Sequence, residues 1–421
     1  MTTENRKNAA SNEPLVGTES QPELESLALA LEAGLSQGDL KSFYQRFRSS
    51  HLPFLSGRFA RDTASLFREC FAVLHRLGGI SAAAAIAVEN HYYVSSAIAT
   101  FPASGQGLSA ARIQAVHRLL NEKRLLVANT NAKVHSGKLG EFGVKARRER
   151  GGFLISGYAA YTSLATEADL LVFIAQIEGE RPAVFFTESL QGNQAIEIGP
   201  YLFPNAMIES DTRSITFREL FVPAENVIAP ADDEQSEALF AFEMAWHQLL
   251  IPVVYLGAAA RAIEEARRFL RETRGRDGNP LSELDGMIID MGRLVLEYDA
   301  ASSSLWLAAR ALADVRELPR DAGRLKRAVE LSSVAKYTGT RAAEAIVGSA
   351  RKIIGARVFV GNHVLSRLSQ EVMFGPLGPE VSAVIERRAG RQALSELPFL
   401  GSNSTDFRRS DNAQTNAKGD A

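Results

Sequence analysis

Cysteine is almost missing from this sequence: Cys70 is the one thiol in 421 residues, so neither an internal disulfide nor a thiolate-rich metal cage can form. Its place in the largely apolar run Leu66 to Leu77 predicts a buried structural thiol, and such sparing use of cysteine fits a reducing, cytoplasmic setting. An excess of charge of either sign is missing too. The 47 Lys and Arg nearly balance 49 Asp and Glu, for a net charge of −2, which leaves no basic field to recruit nucleic acid or an anionic membrane surface. No stretch approaches 18 uncharged apolar residues, and the first twenty residues have no apolar signal core, so neither a membrane span nor an export signal is expected. The seven histidines are scattered without HxxxH spacing, and no metal site is expected. Gly105-Gln-Gly107-Leu-Ser-Ala110 formally matches a dinucleotide fingerprint, but its neighbours read as helix and a turn between helices is the expectation. His135-Ser-Gly137-Lys138-Leu139 lacks the spacing of a phosphate-binding loop.

What is present is ordinary globular substance. Hydrophobic residues make up 46% and charged residues 23%, and at about 150 residues per domain the chain should hold two or three cores. Residues 1–23 and 399–421 mix small polar residues without periodicity and read as disordered tails. Over 24–124 the apolar spacing is helical, with an Ala-rich run at Ile80 to Ala87. Over 125–229 the texture changes to short β-rich runs: Leu125 to Ala128, Phe153 to Ser156, Leu170 to Ala175, Ala183 to Phe186 and Ile215 to Phe221. No helical pattern intervenes, which predicts a mostly antiparallel sheet or barrel. Helical period returns over 236–398, as Ala258 to Arg271, Leu284 to Ala313, Leu325 to Ala350 and Val364 to Ala393. The expected fold class is α+β and multidomain: an N-terminal all-α domain, a middle antiparallel β-domain and a C-terminal four-helix bundle.

Three segments carry a family resemblance. Gly152-Phe-Leu-Ile-Ser-Gly-Tyr-Ala-Ala-Tyr-Thr-Ser163 runs from a hydrophobic strand through glycine into an aromatic-x-Ser step and on to Glu167-Ala-Asp169. Ser210-Asp-Thr-Arg-Ser-Ile-Thr-Phe217 leads into Leu220-Phe-Val-Pro223 and Asn226-Val-Ile228. Leu256-Gly257-Ala-Ala-Ala is followed by Arg274 and Gly278-x-Pro280-Leu281. In this order they resemble the acyl-CoA dehydrogenase superfamily of flavoproteins over roughly Leu24 to Arg391. The resemblance implies FAD, with FMN or reduced flavin as co-substrate also open, and a homodimer or homotetramer, or a hetero-oligomer with a paralogue. It implies that Tyr161 stacks on the flavin ring and Ser163 bonds its edge, that Asn129 and Thr130 meet the polar rim, that Ser136 approaches the pyrophosphate, and that Arg274 reaches a neighbouring subunit's flavin. Each residue also has a plain structural reading: Tyr161 as core filler, Ser163 as a turn cap, Arg274 as a solvated helix-end cation.

The sequence departs from the family where the chemistry is done. The usual base sits in a Tyr-Glu-Gly-Thr-like loop, which here reads Met373-Phe-Gly-Pro-Leu-Gly-Pro-Glu-Val381 and puts Pro376 at the base position. Glu380 matches a later acid that opens a helix. Some family members carry the base on the first helix of the bundle instead, and that position falls on His247; histidine, with an ordinary pKa of about 6.5, suits proton transfer at neutral pH. Asp277 replaces the aromatic residue expected after Arg274, and the adenine-binding loop reads Lys352-Ile-Ile-Gly-Ala-Arg357. Three functions stay open: α,β-dehydrogenation of an acyl thioester on CoA or a carrier protein; reduced-flavin monooxygenation of nitrogen, sulfur or carbon; and a non-catalytic subunit that completes a paralogue's flavin site.

Overall fold

A computed structural model describes residues 20–102, 108–130, 142–188, 190–229, 234–318 and 320–395. The helices α1 (Gln21–Gln37), α2 (Lys41–Ser49), α3 (Leu55–Arg58), α4 (Thr63–Gly78), α5 (Ala82–Thr100) and α6 (Leu108–Glu122) come first. The strands β1 (Val127–Thr130), β2 (Val144–Glu149), β3 (Gly152–Thr162), β4 (Leu170–Ile177), β5 (Pro182–Glu188), β6 (Ile196–Tyr201), β7 (Arg213–Pro223) and β8 (Val227–Ala229) follow, and then α7 (Glu234–Glu272), α8 (Asp285–Ala313), α9 (Ala322–Ile354), α10 (Val364–Glu371) and α11 (Ser382–Ser395). Helices, sheet, helices is the order read from the sequence.

The strands form one sheet in the order β6-β7-β3-β2-β4-β5-β8, with β1 beside β4. It is mostly antiparallel, but β1 runs parallel to β4 and β2 joins β4 by a short parallel contact. Phe173 anchors its core, stacked on Phe185 at 5.7 Å and tilted against Phe217 at 4.8 Å. Strands β2 and β6 escaped the sequence reading because they bury little. On β2 only Val144 and Ala146 turn inward, between exposed Lys145, Arg147 and Arg148, and alternation over so short a run is a weak signal.

The described residues fall into two compact units that part between Gly375 and Pro376. The helical pattern over Val364 to Ala393 is therefore not one helix: α10 stops at Glu371, and α11 starts only after Gly375-Pro376-Leu377-Gly378-Pro379, a run that can neither donate nor hold helical geometry throughout. In the second unit Glu380 pairs with Arg388 of α11 at 2.6 Å.

In the first unit α7 is the axle. It contains an apolar window long enough to cross a membrane by length and composition, yet 78% of that window is buried inside the protein. It passes α4 so closely that a Cβ on Gly78 would lie 2.1 Å from Val254 O, and one on Gly257 2.2 Å from His75 O. Backbone meets backbone at this crossing, which explains the glycine of the Leu256-Gly257-Ala segment. Cys70 is fully buried, and burial pushes its thiol up to about 12, the inert thiol read from the sequence.

Two consequences can be measured. Gly257→Ala forces α4 and α7 apart and should cost about 1–3 kcal/mol, read as a lowered denaturation midpoint; an unchanged midpoint would refute the close crossing. Glu371 of α10 accepts from Ser81 Oγ at 2.9 Å and Ala82 N at 2.6 Å at the start of α5, yet burial lifts its carboxyl to about 7. The folded chain thus holds this proton more tightly than the unfolded chain, so the stability it contributes is present below the ordinary carboxylate range and lost as pH rises through about 7. Glu371→Gln keeps an acceptor for both donors, and its stability advantage over the unaltered protein should widen between pH 5 and pH 8; a gap that stays constant or closes contradicts the assignment.

Candidate active site

Every residue of α5 except Ile86 is buried, so its polar run Glu89-Asn90-His91-Tyr92-Tyr93 has to find partners inside the protein. Two of these residues serve β1, whose one strand partner is β4. His91 Nδ1 accepts from Val127 N at 3.0 Å, and Asn90 Oδ1 accepts from Asn129 N at 2.8 Å. Alternate amides of β1 are thus satisfied by helix side chains where a further strand would otherwise stand. Because His91 Nδ1 accepts, its proton sits on Nε2 and goes to Pro53 O at 2.7 Å. Burial lowers this imidazole to about 4 and keeps it neutral at pH 7.

Glu89 reaches the other way, to His247 Nδ1 at 3.0 Å, while Tyr93 lies against the His247 ring at 4.7 Å between centroids. Glu89 is 1% exposed. Burial raises its carboxyl above the usual range, and the neighbouring His247 pulls it back down. An ionised Glu89 takes the Nδ1–H, so the tautomer is set and Nε2, which has no partner among the described residues, is left to exchange a proton. One helical turn before His247, Glu243 Oε1 accepts from Asn129 Nδ2 at 2.6 Å. Glu89, Asn90 and Tyr93 on α5, Asn129 on β1, and Glu243 and His247 on α7 therefore make one buried polar cluster. One atom in it is unsatisfied: Asn129 Oδ1 has no hydrogen-bond partner among the described residues. Turning the amide over would set oxygen against the Glu243 carboxylate, so the orphaned acceptor cannot be removed by a flip.

Beyond the end of β3 lies a second group. Ser210 Oγ donates to Met207 O at 2.7 Å, Thr212 Oγ1 lies 2.6 Å from Ser210 Oγ, and Ser163 Oγ lies 2.9 Å from Thr212 Oγ1. A hydroxyl has one proton. With that of Ser210 spent on the carbonyl, Thr212 donates to Ser210 and Ser163 donates to Thr212, which leaves Ser163 as an acceptor only. Next to it Tyr161 stands 45% exposed with φ at 62°, stacked on Phe203 at 5.9 Å, and Phe374 meets Phe203 edge-on at 5.1 Å. A tyrosine in left-handed geometry is strained, and here the strain turns an aromatic face outward instead of into the core. Thr130 Oγ1 bonds Ala160 O at 3.3 Å, which ties β1 to this end of β3.

Residues 242–378 match the family described as acyl-CoA dehydrogenase, C-terminal domain. The match lies within the C-terminal helices, and solved structures share the fold of the whole chain. The FMN-bound TdsC of Paenibacillus sp. A11-2, a dibenzothiophene monooxygenase, superposes with a TM-score of 0.75 over 90% of this chain and 98% of its own at 17% identity. Butyryl-CoA dehydrogenase of Megasphaera elsdenii gives 0.72 over 90% and 99% at 15% identity, and a nitroalkane oxidase crystallised with 1-nitrooctane gives 0.72 over 91% and 96% at 17%. No curated protein sequence matches the chain.

On this acyl-CoA dehydrogenase fold, the residues singled out from the sequence fall into three places. Asn129 and His247 share the buried cluster. Thr130, Tyr161 and Ser163 gather at the end of β3. Arg274 is exposed, on a bridge to Pro280 in the turn after α7. The backbone N–H of Asn129, the expected contact to a flavin rim, is already given to Asn90, so only its side chain has unused capacity. Ser136 lies outside the described residues, as do Gly105, Gln106 and Gly107 of the Gly105 to Ala110 segment. Sequence reading missed Glu89, Asn90, Tyr93 and Glu243. For the three on α5 the local signal is a polar cluster in the middle of a helix that opens as an alanine run, where a solvated face would be expected to recur every turn; Glu243 on α7 has no such signal.

Proposed function

We propose that this chain is a flavin-dependent oxidoreductase in which His247 moves the proton, and that it works with reduced flavin and dioxygen as a monooxygenase. Supporting a flat redox ring are the outward Tyr161 on its Phe203 and Phe374 backing, and the adjoining hydroxyls of Ser163 and Thr130, an aromatic platform with a polar margin. When bound, a flavin supplies hydride transfer and dioxygen activation, chemistry no side chain here possesses. TdsC was crystallised with FMN. Arg274, with no ion pair among the described residues, would meet a phosphate of either FMN or FAD.

The acceptor-only state of Ser163 carries the choice of reaction. Such a hydroxyl suits a ring that bears a proton at its central edge, which is the reduced form. In the buried cluster His247 is held in one tautomer by Glu89, so its Nε2 can remove a proton from a substrate and, once protonated, deliver it to a leaving oxygen. The second reading, α,β-dehydrogenation of an acyl thioester, is favoured by that same pair, since a carboxylate-backed imidazole is a competent base in place of the acid missing at Pro376. The exposed Leu284 just before α8 and Ile288, Ile289, Val295, Leu296 and Leu307 within it support self-association through the bundle.

The test is to purify the protein and titrate it with oxidised and with anaerobically reduced FMN. Reduced FMN should bind about tenfold tighter or more, and Thr212→Val, which returns the Ser163 proton, should shrink the ratio by about the value of one hydrogen bond. Equal affinities that Thr212→Val leaves equal would overturn the preference, and protein that takes up no flavin in either state would overturn the flavin itself. With a flavin reductase supplied, substrate-dependent oxygen consumption should fall about 10²–10⁴-fold in His247→Gln while flavin affinity is kept. Steady bleaching by an acyl-CoA panel without oxygen uptake would instead select dehydrogenation.

A further inference from the structure

The orphaned acceptor in the buried cluster points to a ligand. Asn129 is 2% exposed and its Oδ1 is unsatisfied, a state that costs free energy unless another molecule completes it. The same amide is pinned by Glu243 at 2.6 Å, and Glu89 and His247 stand next along the facing helices at 3.0 Å from each other. Tyr93 joins the two halves: its hydroxyl lies within the electrostatic reach of both Glu243 and Glu89. What completes this cluster has to donate a hydrogen bond to Asn129 Oδ1 and sit among carboxylates. An acyl chain does neither. A hydroxyl donates once and carries no charge. An amine carries up to three N–H groups, and its protonated form is attracted by both acids.

We propose that this cluster is a binding site for a primary or secondary amine, seated on Asn129 Oδ1 between Glu243 and the Glu89–His247 pair, and that the substrate of the oxidoreductase carries such a nitrogen. The substrate assignment rests on the flavin-dependent reading above; the amine site itself does not. Glu243 has a further interaction besides Asn129, and the amine approaches the carboxylate as an additional partner.

The experiment is calorimetric titration of the full-length protein at pH 7.5, with and without FMN, using matched pairs: benzylamine against benzyl alcohol, and n-hexylamine against 1-hexanol. Each amine should bind at least about tenfold more tightly than its alcohol. Glu243→Gln keeps an acceptor for Asn129 Nδ2 and removes the charge; it should weaken the amines about tenfold and leave the alcohols unchanged. Asn129→Leu, which deletes the acceptor, should abolish the preference, and if it does not fold, the amine-to-alcohol ratio on the unaltered protein and on Glu243→Gln still decides. Equal binding of amines and alcohols, or no binding of either, overturns the site and leaves a buried water as the partner of Asn129. Amine preference in a protein that takes up no flavin keeps the site and removes the flavin reading; flavin uptake without amine preference does the reverse.

Discussion

The rest of the structure depends on the burial of α5. A helix with water on one side can carry polar residues at no cost, but this one has protein all round it and still bears Glu89, Asn90, His91, Tyr92 and Tyr93 in succession. Each must be answered from a different direction, because successive residues on a helix point about 100° apart. Tyr92 bonds Leu52 O at 2.8 Å and His91 bonds Pro53 O at 2.7 Å, which fixes the entry to α3; Asn90 and His91 hold β1; Glu89 and Tyr93 hold His247. The helix thus sets the distances among the N-terminal helices, the sheet edge and the bundle, and these three layers meet at the proposed site. Its N-terminus is secured in turn by Ser81, which caps Ala84 N and donates to Glu371.

Two buried glutamates illustrate how partners decide the role of a buried acid. Glu371 is answered by a hydroxyl and a backbone amide at a helix start, neutral donors that do not repay the loss of water, so its proton is retained up to about 7. Glu89 is answered by an imidazole that can itself take a proton, and the pair then holds one proton between two groups. Only the second arrangement can pass that proton to something else. Glu371 ties α10 to the start of α5 and Glu89 pairs with His247, although their exposures are the same, 1% each.

Much of the fold was legible because hydrophobic periodicity is local. The cores of β3, β4, β5 and β7 and the long helices of the bundle follow directly from it, as does the buried setting of Cys70. The tail of the bundle was overread: amphipathic spacing continues from Val364 toward Ala393, but two prolines and two glycines between Gly375 and Pro379 cut the helix. At the candidate site, motif order points to Tyr161, Ser163, Asn129, Thr130 and His247, whereas no motif points to Glu89 or Glu243. Glu89 meets His247 across 158 positions and Glu243 meets Asn129 across 114. No local pattern encodes such a pairing, and an acid inside a helical run reads as a solvated face until the helix is known to have none.

The two halves of the candidate site each present an acceptor. At the end of β3, the protons of Ser210, Thr212 and Ser163 are committed along one chain of hydroxyls, so Ser163 offers a lone pair, while the buried Thr162 hydroxyl has no partner among the described residues. In the cluster around Asn129 the unsatisfied group is again an acceptor, a carbonyl oxygen beside carboxylates. Both surfaces therefore call for partners that bring hydrogen. A flat ring with a protonated edge and a substrate with a protonated nitrogen would answer that demand together, and Nε2 of His247, without a partner among the described residues, would take up the proton, its Nδ1–H being held by Glu89. An apolar chain would leave Asn129 Oδ1 unanswered, at a cost of about 1–3 kcal/mol for a buried unsatisfied acceptor, whereas Ser163 keeps its bond to Thr212 with either form of the ring. The proposed choice of oxygenation over desaturation therefore rests on the direction of the Ser163 hydroxyl and the proposed amine on the Asn129 acceptor, while the base that either reaction needs stays the same.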